Sequence, residues 1–314
     1  TPQPNTQVHA AHMCLARLYQ DEGKYASAEE HYKAAVAETE KPELWPGRGF
    51  YCSTAMWLAR FYIAQHRYSE AEPLFHRALE IYEADRSPNS YLPHHLEEFA
   101  KLYEAQEKYI AAEELYLRAL KTCEELDGSS TDCVTERALD NLAAFYQARG
   151  RYYEAEELWR RSLRSVEERI RSQTLATTNR LLRWRNRKEL EARISRSQLP
   201  ISVSLENLAG IYECQQKYAE AEPLRRRAVE IKQQVWDERH AWIWVDSLAA
   251  YANALHKIGR EHEATKIDER VKAIRKKYPP GSVHTSVRLM SMPIRRTLRW
   301  RFATLVNAIR PSLH

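Results

Sequence analysis

The chain has little glycine: eight residues in 314, about one in forty against a usual share of roughly 7%. That scarcity argues against a sheet protein joined by many tight turns, and against glycine-rich loops that cradle phosphate. Cysteine is sparse and unpatterned. Cys14, Cys52, Cys123, Cys133 and Cys214 contain no C-x-x-C pair, which removes the common zinc and dithiol-redox signatures. Their odd number does not read as a disulfide framework. Cys123 and Cys133 could meet across a helix corner, but buried free thiols are the expectation for the set. Long apolar runs are also missing. The richest stretch, 241–255, is broken by Asp246, and none reaches the roughly 18 residues that span a bilayer. There is no H-E-x-x-H, G-x-S-x-G or Walker loop, the patterns that would announce common catalytic sites. The His94–His95 pair near Glu97 and Glu98 reads as an exposed polar helix start rather than a metal site. No cofactor, metal, catalytic residue or small-molecule substrate is therefore expected. The first residues, Thr1-Pro2-Gln3-Pro4-Asn5, show neither an initiator Met nor a signal-peptide core. Export and organelle import stay open, with a cytoplasmic location the default expectation.

What the chain does have is apolar and aromatic substance: 44% hydrophobic residues, 18 Tyr and 8 Trp, too much for a disordered chain. It also has a repeat. Leu15-Ala16-Arg17-Leu18-Tyr19 leads through Gly23-Lys24-Tyr25 to Ala28-Glu29-Glu30-His31-Tyr32 and Ala35. The phrase returns from Leu58, Phe99, Leu142 and Leu208 and, decayed, from Tyr251. Successive starts lie 43, 41, 43, 66 and 43 residues apart, the long interval being one period plus 23 extra residues. Each copy carries two apolar stripes at helical spacing. The first helix places a small Ala beside a large residue and a Tyr. The second has early Glu residues, which suit the positive end of a helix dipole. One such hairpin cannot bury its apolar face alone, whereas stacked copies bury a continuous core. Tyr19, Tyr62, Tyr103, Tyr146 and Tyr212 recur in every clean copy and are read as packing.

This phrase resembles the tetratricopeptide repeat, with large-small-aromatic on the first helix, Gly-x-Tyr at the corner, and Ala, aromatic and Ala on the second. The period near 42 and the strings Asn141-Leu142-Ala143 and Asn207-Leu208-Ala209 resemble the kinesin-light-chain type of repeat. The resemblance implies an all-α fold, a right-handed superhelical α-α solenoid of about six hairpins. The expected organisation is an N-terminal extension (1–8), repeats one to four (9–170), a basic insertion (171–200), repeats five and six (201–278) and a basic amphipathic C-terminal helix (279–314). It also implies that each first helix lines the concave groove. Arg17, Arg60 and Lys101 would then stack as a basic ladder suited to an acidic peptide or a C-terminal carboxylate; the alternative is a solvated helix face balanced by Glu97, Glu98 and Glu104. Asn141 and Asn207 would bond the backbone of an extended peptide, since an amide both donates and accepts. The family's carboxylate clamp for chaperone tails needs Lys and Asn side chains where this chain has Met13, Arg17, Trp57, His94 and Glu98. A co-chaperone role is therefore not expected.

Two segments break the pattern. Residues 171–200 carry a net +6, with Arg183, Trp184, Arg185 and Arg187 at their centre. Residues 281–314 carry another +6 and no acid, and place Arg295, Arg296, Arg299 and Arg301 around a stripe of Ile294, Leu298, Phe302, Leu305 and Ile309. The whole chain is only +5, so the rest of it is −7: an acidic repeat scaffold with two arginine-rich attachments. The tail could cap the last hairpin. Alternatively, the attachments could bind nucleic acid, an acidic protein or an anionic membrane surface. The expected function is non-catalytic, a protein–protein interaction scaffold that holds a peptide segment or protein surface in the groove. The alternative is a structural subunit of a larger complex, ribonucleoprotein or membrane-associated, held through the basic attachments.

Overall fold

A computed structural model describes residues 4–40, 49–84, 91–126, 132–181 and 194–278. Its described residues are helical, without a strand, and fall into two compact units, Thr1–Leu175 and Ala176–His314. The first unit holds four hairpins: α1 (Pro4–Asp21) with α2 (Tyr25–Thr39), α3 (Gly49–Ala64) with α4 (Tyr68–Ala84), α5 (Leu92–Ala105) with α6 (Tyr109–Leu126), and α7 (Asp132–Ala148) with α8 (Tyr152–Leu181), whose residues from Ala176 on are assigned to the second unit. The second holds α9 (Leu199–Cys214) with α10 (Tyr218–Val235), a 3₁₀ segment (Glu238–Ile243), and α11 (Val245–Lys257) with α12 (Glu261–Lys277). Helix α8 has 30 residues, so the start of the segment 171–200 continues a repeat helix.

All six corners are built alike. The residue before the basic corner residue adopts a left-handed backbone: Gly23, His66, Glu107, Gly150, Gln216 and Gly259 have φ between 59° and 81°. The N–H of the following residue then donates to the carbonyl five residues back, as in Lys24 to Tyr19 (2.8 Å), Arg67 to Tyr62 (3.0 Å) and Lys217 to Tyr212 (2.8 Å). This is the Schellman closure, which satisfies the last carbonyls of the first helix and reverses the chain within three residues. The next helix starts at once.

Small residues let the helices approach. Ala16, Ala59, Ala100, Ala143, Ala209 and Ala252 on the first helices, and Ala28, Ala71, Ala112, Ala155, Ala221 and Ala264 on the second, are all 0% exposed. Around them pack the large residues, with Tyr32 against Phe61 (5.3 Å between ring centres), Phe75 stacked on Phe99 (5.2 Å) and Tyr116 against Phe145 (5.5 Å). In the second unit Val229, Trp244, Val245, Leu248, Val271 and Ile274 form the corresponding cluster.

The repeated Glu on four of the second helices has a role that helix-dipole reasoning does not supply. It accepts hydrogen bonds from the next hairpin. Tyr62 Oη donates to Glu29 (3.1 Å), Tyr103 to Glu72 (3.1 Å), Tyr146 to Glu113 (2.8 Å) and Tyr251 to Glu222 (3.2 Å). The basic corner residue of that same next hairpin joins the carboxylate: Arg67 to Glu29, Lys108 to Glu72, Arg151 to Glu113 and Arg260 to Glu222. In three of the four the cation also lies over the Tyr ring, Arg67 over Tyr62 at 4.6 Å, Lys108 over Tyr103 at 5.1 Å and Arg151 over Tyr146 at 4.1 Å. The result is a Glu–Tyr–cation latch at each of these hairpin seams.

Two expectations are corrected. His95 is not an exposed helix start: it is 2% exposed, with Nδ1 3.0 Å from the Tyr91 carbonyl oxygen and Nε2 3.0 Å from that of Cys52. Burial lowers its pKa below the ordinary histidine value. The thiols are not uniformly buried either. Cys52 and Cys123 are buried, but Cys214, in the last turn of α9, is exposed.

Candidate binding face

The first helices of neighbouring hairpins adjoin directly in the first unit, α3 beside α5 and α5 beside α7. Residues two positions after the repeated large residue therefore line up along one face. Arg17 and Arg60 converge on Trp57, their guanidinium carbons 5.5 and 5.1 Å from its ring centre. Arg60 Nε then reaches Glu98 at 3.2 Å, and Lys101 Nζ reaches the same carboxylate at 2.9 Å. The structure thus joins three predicted cations in a chain: Arg17, Trp57, Arg60, Glu98, Lys101. Glu98 is buried, which by itself would raise its pKa. Lys101, Arg60 and His94 outweigh that and hold it below the usual carboxylate range.

The ladder is therefore partly neutralised from within. Glu97 is 1% exposed and accepts from Arg137 Nε at 2.9 Å, while its other oxygen has no hydrogen-bond partner among the described residues. Four cations and two carboxylates leave the face with a surplus of positive charge. Arg17 is the cation that makes no ion pair among the described residues, and it stands over an aromatic ring that is itself half-exposed. Asn141, half-buried on α7, makes no side-chain hydrogen bond among the described residues, nor does Asn207 on α9 of the second unit. Arg183, Trp184, Arg185, Arg187, Arg295, Arg296, Arg299 and Arg301 lie outside the described residues.

Sequence reasoning found the cations and the balancing acids Glu97 and Glu98, and missed the ring of Trp57 between Arg17 and Arg60. Trp57 and Glu98 occupy the position just before the repeated large residue, the position where Asn141 and Asn207 drew notice. Reading that column across all repeats would have exposed Trp57. Arg137 could not be found in the same way, because its partner Glu97 lies 40 residues earlier.

No group of His, Cys, Asp and Glu among the described residues could hold a metal, and no described helix is long and apolar enough to cross a membrane. Tetratricopeptide repeat profiles match residues 51–125 and, in a second form, 135–168 and 202–241. No curated protein sequence matches the chain. Among solved structures, a Podosopora anserina protein of kinesin-light-chain type with nearly identical tetratricopeptide-like repeats is 22% identical, with a TM-score of 0.54 over 73% of this chain and 96% of that one. BtubC from P. vanneervenii is 17% identical, with a TM-score of 0.56 over 88% and 92%. The Pyrococcus horikoshii STAND protein with a tetratricopeptide repeat sensor is 16% identical, with a TM-score of 0.57 over 84% of this chain and 38% of that one. At these identities the likeness is one of fold.

Proposed function

Because the chain is a tetratricopeptide-repeat protein, we propose that its first unit is a non-catalytic interaction scaffold that holds an acidic, extended peptide along the first-helix face. The observation that supports this reading is the stack of Arg17 and Arg60 about Trp57. The Arg17 guanidinium is held on the indole without a carboxylate, so its donors remain available to a ligand carboxylate in paired geometry,. Lys101 extends the positive surface, and Asn141 offers a donor and an acceptor to the peptide backbone. Asn207 offers the same on the second unit.

The internal pairing dictates the test. Reversing Arg60 or Lys101 would strand the buried Glu98 carboxylate and cost stability, whereas Arg17 has no such dependant. The Arg17→Glu variant is expected to keep its far-ultraviolet circular dichroism and to weaken binding of a fluorescein-labelled hexaglutamate peptide by about tenfold, roughly 1.4 kcal/mol. Equal affinity of both proteins for that peptide would rule the reading out.

One observation favours the second reading, attachment through the basic tail. The last described helix, α12, has Ala264, Val271 and Ile274 buried, with Val271 and Ile274 packed in the cluster around Trp244 and Leu248. The other residues of α12 are polar or small apart from the half-buried Ile267, so it presents little apolar surface for a cap. In this reading the sequence stripe Ile294, Leu298, Phe302, Leu305 and Ile309 is the part that a partner would bind. Deleting residues 281–314 is expected to leave the melting temperature nearly unchanged and to release the protein from its native complex. A fall of many degrees would assign the tail to capping instead.

A further inference from the structure

The second helices of the first unit are tied to one another by a repeated ion pair. Arg77 meets Glu40 (2.7 Å), Arg118 meets Glu83 (2.6 Å) and Arg161 meets Glu124 (2.6 Å). Beside the middle tie, α4 and α6 border an open groove of about 450 Å³. Its apolar lining comes from Leu79 of α4, Leu115 of α6, and Phe99 and Tyr103 of α5. Glu80 of α4 and Glu114 of α6 line it too. Both carboxylates are exposed, and neither makes an ion pair or side-chain hydrogen bond among the described residues. The cationic side of the lining does not neutralise them. Arg118 is spent on Glu83, and His76 lies 3.8 Å from Glu72.

This seam differs from its neighbours in the residues that shape the groove. The positions of Glu80 and Glu114 hold Ala37 and Pro73 at the seam before, and Lys121 and Glu157 at the seam after. The first pair is uncharged and the second is of opposite sign. Of these three seams, the middle one alone sets two acids on one opening. The position of Ala111, which also lines the groove, holds Glu70, Glu154 and Glu263 in other hairpins. Each of those bonds the Arg of its own corner. Ala111 removes that side chain and its corner pair from the groove.

Two carboxylates on one groove repel each other, and a cation entering it relieves the repulsion. No group of His, Cys, Asp and Glu among the described residues could hold a metal, and the apolar lining suits a longer occupant. A lysine or arginine side chain supplies both parts, a methylene stem and a charged head. We propose that this groove docks a basic, extended segment of a partner protein. One Lys or Arg stem lies on Leu79 and Leu115, and its head is taken by Glu80 and Glu114. The site takes the charge opposite to that of the Arg17–Trp57 face and stands or falls independently of it.

The probe is fluorescein-labelled hexalysine, titrated into the full chain and followed by anisotropy in about 0.15 M salt, where distant charges are screened. Binding is expected, weakened about tenfold by Glu80→Gln with Glu114→Gln. Glu30→Gln with Glu168→Gln makes the same change of charge at exposed positions elsewhere in the unit. It should move the affinity by less than about twofold. Ala111→Leu narrows the groove without changing charge and is expected to weaken binding severalfold. Circular dichroism and melting temperature of the two double variants should stay as they are, because all four positions are exposed. Four results would overturn the proposal. Hexalysine does not bind; both double variants weaken it equally, as adsorption to an acidic surface would; or Ala111→Leu leaves the affinity unmoved. The fourth is binding seen only after residues 281–314 are deleted, which would give the groove to the chain's own arginine-rich tail.

Discussion

Single residues gain or lose their character from where the helices put them. Asp140 is the clearest case. Burial pushes its pKa up to about 6, Ser162 opposes this by donating to it at 2.6 Å, and the charge of Glu136 pushes the same way as burial. A carboxyl whose folded pKa lies above its ordinary value of 3.8 costs stability wherever it is ionised, and that cost fades as pH falls through 6 toward 4,. Asp140→Asn keeps an acceptor for Ser162 and is expected to stabilise the fold by about 1–2 kcal/mol at pH 7.5. The gain should shrink toward zero near pH 4, as read from denaturant midpoints at the two pH values. The sequence offered no sign of this, because Asp140 follows a pattern suited to a solvated helix face. His95 misled in the same way: its neighbours in sequence are polar, but its acceptor, the Cys52 carbonyl, belongs to another hairpin 43 residues away. Helical periodicity sees four residues in either direction, and both side chains are governed by contacts beyond that reach.

At the scale of the element, the corners decide where helices end. Three of the six left-handed positions are glycine and three are His66, Glu107 and Gln216, which pay the Cβ penalty of that conformation. Glu107→Gly and Gln216→Gly are therefore expected to stabilise by about 0.5–1 kcal/mol each. Gly150→Ala should cost about 1 kcal/mol through backbone strain alone, since a Cβ there would meet no atom within 4 Å. Thermal melts of the three variants check both signs. The hairpins themselves were legible, since large-small-aromatic spacing and the recurring Ala residues place every helix of the six copies. Glycine marked only half of the corners, because the Schellman bonds need a backbone shape rather than a residue type. The extent of α8 was hidden for a different reason: nothing in composition separates the end of a repeat helix from the start of a polar segment rich in arginine.

For each unit as a whole, the seams matter more than the hairpins. Arg67 pushes the Glu29 carboxyl down to about 2, and Tyr103, Gln106 and Lys108 hold Glu72 below the usual range against the opposing effect of burial. A depressed carboxyl contributes stability that is present above its ordinary pKa of 4.5 and is lost as pH falls through the folded value,. Glu29→Gln is expected to cost about 1–2 kcal/mol at pH 7 and to flatten the fall in stability between pH 4.5 and 2, with faster amide exchange in α1 and α2 than in α5 and α6. The latch also has a direction: at each of the four seams the earlier hairpin gives the carboxylate and the later one the Tyr–cation pair. That polarity sets rules for how such a gene can lengthen. Duplicating an interior block of about 43 codons keeps every donor opposite an acceptor, whereas a few codons added between the Tyr and the Glu of one hairpin would put its two seams out of step. Length can vary without that penalty only between a Glu and the next Tyr, and the chain's 23 additional residues fall there, after Glu156 and before Tyr212.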